Sequence, residues 1–126
     1  MKISDGDYGK ILWFDKKRPL FGKPLSFTRY ILTGDKIYVN RGFLSIREDR
    51  LELYRVTDMA LILPWTQRIF GCGTIEIHAR DNTNPTLFIK SVKDPRKVLQ
   101  ALEACVASER RRYNIAGRDM FGALNH

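Results

Sequence analysis

The chain has 126 residues, of which 44% are hydrophobic and 29% charged, and it carries a formal net charge of +8. This length suits one domain that buries roughly two-thirds of its unfolded surface without a staple, and the balance excludes a disordered tail or a fibre. Excess Lys and Arg favour encounters with lipid headgroups, nucleic acid or acidic protein without choosing among them, and serve solubility equally well.

From the N-terminus, Met1 to Asp7 lacks the apolar stretch of an export signal, so a cytoplasmic, reducing location is expected. Residues 1–23 form an N-terminal segment in which Ile11, Leu12, Trp13 and Phe14 are too apolar for a free tail. They require burial, as a strand added to the sheet edge of the same chain or as an arm exchanged with a neighbouring copy. Phe27 to Thr33 is the first clear alternating strand. Thr33-Gly34-Asp35-Lys36 supplies a tight reversal, and Lys36 to Arg41 returns as its hairpin partner with Ile37 and Val39 on one face. Gly42 breaks the run, Phe43 to Arg47 resumes it, and Glu48-Asp49-Arg50 reads as a charged turn.

Apolar parity then shifts twice between Leu51 and Leu63, which requires a bulge or bend of the kind found at the corner of a small barrel. The greasy run Met59 to Leu63, closed by Pro64, is about a quarter of a membrane-spanning helix. Pro64 to Gly73 reads as an ordered connection anchored by Trp65, Ile69 and Phe70. Thr74 to Arg80 and Thr86 to Ser91 are the last two strands, on either side of the turn formers Asp81 to Pro85. Asp94 and Pro95 open a helix, in which Val98, Leu102, Cys105, Val106 and Tyr113 recur at three- and four-residue spacing and predict one stripe packed on the sheets. Past Tyr113 the pattern dissolves, and residues 114–126 are expected to fray or to be ordered only by a partner.

Several stretches carry a family resemblance: Pro24-Leu25-Ser26-Phe27-Thr28, Leu53-Tyr54-Arg55-Val56-Thr57-Asp58, Arg68-Ile69-Phe70-Gly71-Cys72-Gly73-Thr74-Ile75 and the Asp94-Pro95 helix start. With the strand layout, they make the chain resemble the bacterial pleckstrin-homology-like (PH-like) domains often found beside transmembrane segments, from about Trp13 to Tyr113. The resemblance implies a mainly β fold over residues 24–113: a PH-like barrel of about seven antiparallel strands in two near-orthogonal sheets, capped by one C-terminal α-helix. It also implies a non-catalytic module working through protein association, self-association included, with a sheet edge or the helix face as contact surface. Eukaryotic PH domains that bind phosphoinositides carry basic residues through the first strand pair and its loop. That loop reads here as Thr33 to Lys36, with Asp35 in it, so no such site carries over.

No catalytic, cofactor or metal site is expected, and no small-molecule substrate is inferred. Cys72 and Cys105 have no Cys or His at metal-ligand spacing. His78 alternates with Ile75 and Ile77 without an evident partner, and Gly71-Cys72-Gly73 is too short for a phosphate loop. Two basic clusters, Lys16, Lys17 and Arg18 before the sheets and Arg110, Arg111 and Arg112 at the helix end, are candidate contacts for an anionic surface. Sharing one face, they would contribute roughly 1 kcal/mol per residue at an anionic membrane. The arginines also complement the helix dipole by about 0.3–1 kcal/mol each. Trp13, Phe14 and Trp65 are candidate interface aromatics, with Trp65 alternatively plugging the barrel end. Tyr8, Trp13, Phe14 and Phe21 interleave with Lys10, Lys16, Lys17, Arg18 and Lys23 as single-stranded nucleic acid would require, but burial of these rings is the weightier reading.

Overall fold

Alternation of apolar side chains along the chain builds two antiparallel sheets that face each other across one core. The structure, a computed structural model, describes residues 9–19, 22, 26–80 and 85–124, the last nine of these as backbone. The first sheet is β1 (Ile11–Lys16), β2 (Arg29–Thr33), β3 (Lys36–Arg41) and β4 (Arg47–Glu52), neighbours in that order. The second is β5 (Val56–Ile62), β6 (Cys72–Ala79) and β7 (Thr86–Lys93), with a 3-10 turn at Leu53–Arg55 between the sheets. A short helix α1 (Trp65–Arg68) joins β5 to β6, and a long helix α2 (Pro95–Leu124) follows β7.

The core draws Tyr30, Leu32, Ile37, Val39 and Leu51 from the first sheet and Ile75, Ile77, Ile89 and Val92 from the second. Val98, Leu102 and Val106 of α2, spaced four apart and so on one helix face, close it from the side. Tyr113 continues that stripe by stacking on Tyr54, with ring centroids 4.0 Å apart. The expected mainly β architecture of seven antiparallel strands in two sheets with one C-terminal helix is therefore what the chain forms.

Four local expectations are corrected. Glu48-Asp49-Arg50 is not a turn but the middle of β4, because these charges have cross-strand partners: Arg41 Nη1 lies 3.0 Å from Asp49 Oδ2. The reversal instead falls at residues 42–46, where Gly42 has φ +111° and an added Cβ would collide with the Ser45 carbonyl. Of the expected strand Phe43 to Arg47, only Arg47 is extended, as the first residue of β4. Pro64 to Gly73 contains the single turn α1, and Trp65, Ile69 and Phe70 are exposed on it instead of anchoring it or plugging the end of the fold. The backbone of α2 runs past Tyr113 to Leu124, since no proline follows Pro95 to stop it.

β1 pairs with β2 of its own chain, with a bulge between Ile11 and Trp13. Its anchor is Asp15. This largely buried carboxylate accepts from Arg18 Nη2 at 3.1 Å, from Lys16 N at 2.8 Å and, across to the second sheet, from Lys93 N at 3.1 Å. Arg18 N donates to Ser91 O at 2.8 Å, and Ser91 Oγ donates to Arg18 O, so β1 is tied to the end of β7 just ahead of α2. At the same junction Gly73 admits the start of α2: a Cβ there would lie 2.7 Å from Pro95 Cγ and 2.6 Å from Leu63 Cδ2.

Candidate functional site

Among the described residues, the groups capable of chemistry do not converge. His78 sits on the face of β6 turned away from the core, its Nε2 3.0 Å from Glu76 Oε1 and its Nδ1 3.4 Å from Thr86 Oγ1. Glu76 is a carboxylate partner that the sequence reading passed over, although residues two apart on a strand share a face. Cys72 lies six residues back along the same strand, about 20 Å away at strand rise. Its buried thiol contacts the Phe70 carbonyl, and burial pushes the thiol pKa up, so little thiolate is available at neutral pH. Burial, and then Glu109, likewise raise Cys105. Among the described residues no group of three His, Cys, Asp or Glu side chains could hold a metal ion.

The two basic clusters stand apart, the first ahead of α2 and the second at its middle and not at its end, since the helix continues to Leu124. Lys16, Lys17 and Arg18 lie beside Ser91, ahead of the helix, whereas Arg110 donates to the Val56 carbonyl fifteen residues into it, on the order of 22 Å away at helix rise. Arg18 is paired with Asp15, and Arg112 lies 3.7 Å from Glu109 and over the Tyr113 ring. Arg111 is exposed. Of the aromatics, Trp13 packs against the core, Phe14 is exposed, and Trp65 is 68% exposed on α1 beside Ile69, Phe70 and Ile62. Tyr8, Phe21 and Lys23 lie outside the described residues, as do residues 81–84 of the expected turn.

The fold instead gathers cations far apart in sequence at one end of the first sheet, in two pairs on opposite faces, because Arg29 pairs with Asn40 and Arg41 therefore turns the other way. Each strand of the first sheet carries a cation at the same end: β1 leaves at Lys16, β2 begins at Arg29, β3 leaves at Arg41 and β4 begins at Arg47. Lys16 stands directly opposite Arg29, and Arg41 opposite Arg47. Asp49 bridges the second pair, 3.0 Å from Arg41 Nη1 and 3.3 Å from Arg47 Nε. The first pair has no such bridge among the described residues, because Asp15 is engaged by Arg18. Arg29 is only 8% exposed, yet its Nε and Nη2 are buried without a hydrogen-bond partner.

Beyond these strand ends projects the 42–46 reversal, with Leu44 95% and Phe43 69% exposed and Ile46 also open to solvent. Phe43 packs on the exposed Phe27 ring, with centroids 5.1 Å apart. The loop of the first strand pair is corrected as well: because β1 precedes β2, it is residues 17–28 and not Thr33 to Lys36, and it begins at Lys17 and Arg18 in this same rim.

Among known proteins, the family described as the bacterial PH domain matches residues 23–105. No curated protein and no solved structure matches the chain. No helix among the described residues is long and apolar enough to cross a membrane.

Proposed function

Because the chain belongs to the bacterial PH domain family, whose members serve generally as binding modules, we propose that it is a non-catalytic association module acting through a protein partner and through self-association. The observation that carries this reading is α1. A one-turn helix that turns Trp65 and Ile69 outward, with Phe70 and Ile62 beside them, holds large apolar side chains in water at a cost that contact with another protein surface would remove. β5, which contributes Ile62, is an edge of the second sheet, so its free backbone groups offer a second means of contact. The reactive side chains support no competing catalytic reading, since His78 and Cys72 are separated along one strand and Cys72 is buried.

Light scattering across protein concentration tests this. The parent is expected to form an oligomer that persists at high salt, as apolar contacts are not screened. The Trp65→Ser/Ile69→Ser variant is expected to be monomeric with an unchanged unfolding midpoint, since both residues are exposed. A parent that stays monomeric at high concentration, or an oligomer indifferent to the two substitutions, would refute the reading of α1.

A further inference from the structure

We propose, resting on the reading of the chain as a protein-association module, that the cleft between the start of β5 and the middle of α2 receives an acidic segment of a partner protein. The cleft measures about 410 Å³ and is lined by Arg55, Arg80 and Arg110, with Thr57 and Asn114 beside them. Three elements bring these cations together: Arg55 closes the 3-10 turn, Arg80 follows β6, and Arg110 lies on α2. The Arg80 amide donates to the Arg55 carbonyl at 2.9 Å, and the Arg110 guanidinium donates to the Val56 carbonyl, so the arrangement is fixed before a ligand arrives. Cations gathered this way repel one another, and nearby carboxylates do not balance them. Glu52 meets Arg55 at 3.2 Å, whereas Arg80 and Arg110 have no carboxylate among the described residues. Two carboxylates of a partner would match those two guanidiniums, whose planar forks suit carboxylate oxygens.

The cleft continues into a groove of about 270 Å³, with which it shares Val56, Thr57 and Arg110, and this continuation selects among anionic partners. From Val56 to Met59 along β5, and from Arg110 back to Glu103 along α2, the lining passes from basic to apolar at Met59, Val106 and Ala107 and carries the carboxylates of Asp58 and Glu103. A nucleic-acid strand or an anionic bilayer presents negative charge without a break and would meet those two carboxylates. The rings beside the cleft are also engaged already: Tyr54 and Tyr113 stack at 4.0 Å, with the Arg55 guanidinium by one and that of Arg112 by the other. A peptide can change from acidic to apolar within a residue or two, which is the change this lining makes. A second copy of the chain fits less well, because its adjacent carboxylates Glu48 and Asp49 are taken by Arg50 and Arg41.

Fluorescence anisotropy of a labelled peptide, two glutamates followed by two leucines, tests this on the full chain. Binding is expected, and it should weaken with salt. Arg80→Gln, at an exposed site, is expected to leave the unfolding midpoint unchanged and to weaken binding about tenfold. Arg111→Gln removes the same charge beside Arg110 but outside the cleft, and is expected to change affinity less than about twofold. Exchange of the leucines for serines should weaken binding at least about tenfold, and exchange of the glutamates for glutamines should abolish it. Equal losses in Arg80→Gln and Arg111→Gln would reduce the attraction to net charge and overturn the assignment. So would no binding of the peptide, undiminished binding of its glutamine form, or tighter capture by a single-stranded oligonucleotide or by phosphatidylglycerol vesicles. A loss of self-association in Arg80→Gln would make the occupant a second copy and overturn it too. Trp65→Ser/Ile69→Ser is expected to bind the peptide through an intact cleft, so failure at α1 and failure at the cleft are seen separately.

Discussion

Asp15→Ala is expected to lower the stability of the protein by about 3–5 kcal/mol, measured as a fall in the urea midpoint at unchanged slope. Three donors converge on this carboxylate: the Arg18 guanidinium and the backbone amides of Lys16 and Lys93. Removing it leaves a partly buried arginine without its counter-charge and strips an acceptor from two amides, and unmet buried groups cost more than the bond itself was worth. The loss is concentrated at the join between β1 and β7, the contact that ties the rim of the first sheet to the start of α2. Asp15→Asn, which retains the shape and one acceptor oxygen, is expected to cost less. A midpoint unchanged by Asp15→Ala would mean that β1 is not held this way.

Leu102→Ala tests the other seam. Leu102 is fully buried among residues of both sheets and lies between Val98 and Val106 on the packed stripe of α2. Truncation removes transfer free energy and leaves a cavity that rigid strands on one side cannot collapse into, so a loss of about 3–5 kcal/mol is expected. For a domain of this length that is a fall in Tm of roughly 10–20 °C in calorimetry. Tyr113→Ala, on the same helix but half exposed, removes chiefly a stack on Tyr54 and should cost only about 1 kcal/mol. If the two substitutions had equal effects, α2 would be an appendage and not a wall of the core.

How much of this was legible in the sequence depended on how local the determining interaction was. The β2–β3 hairpin was readable because Ile37 and Val39 alternate cleanly and Gly34 sits between the strands. The stripe of α2 was readable for the same reason at helical spacing. β1 was not placed, because its bulge at Ile11 to Trp13 breaks the period of two and its run of apolar residues fits a strand and a buried arm equally. Glu48-Asp49-Arg50 was mistaken for a turn because its β character lies in pairing with Arg41, eight residues back from Asp49. A one-turn helix such as α1 is too short to show a period at all, so Trp65 was given an anchoring role that the fold denies it. The rim was least visible of all. Its cations are scattered at positions 16, 29, 41 and 47, and only correct strand ends and register show that they reach one end of the sheet as two pairs on opposite faces. The two clusters conspicuous as consecutive letters, by contrast, are parted by about half the length of α2.

Hydrogen–deuterium exchange of the full chain at low and high protein concentration addresses the central claim most directly: that this molecule works by apolar surface contact around α1. Protection is expected to rise over Ile62–Phe70 with concentration. Protection gained instead around Glu76 and His78, or at no surface at all, would contradict it.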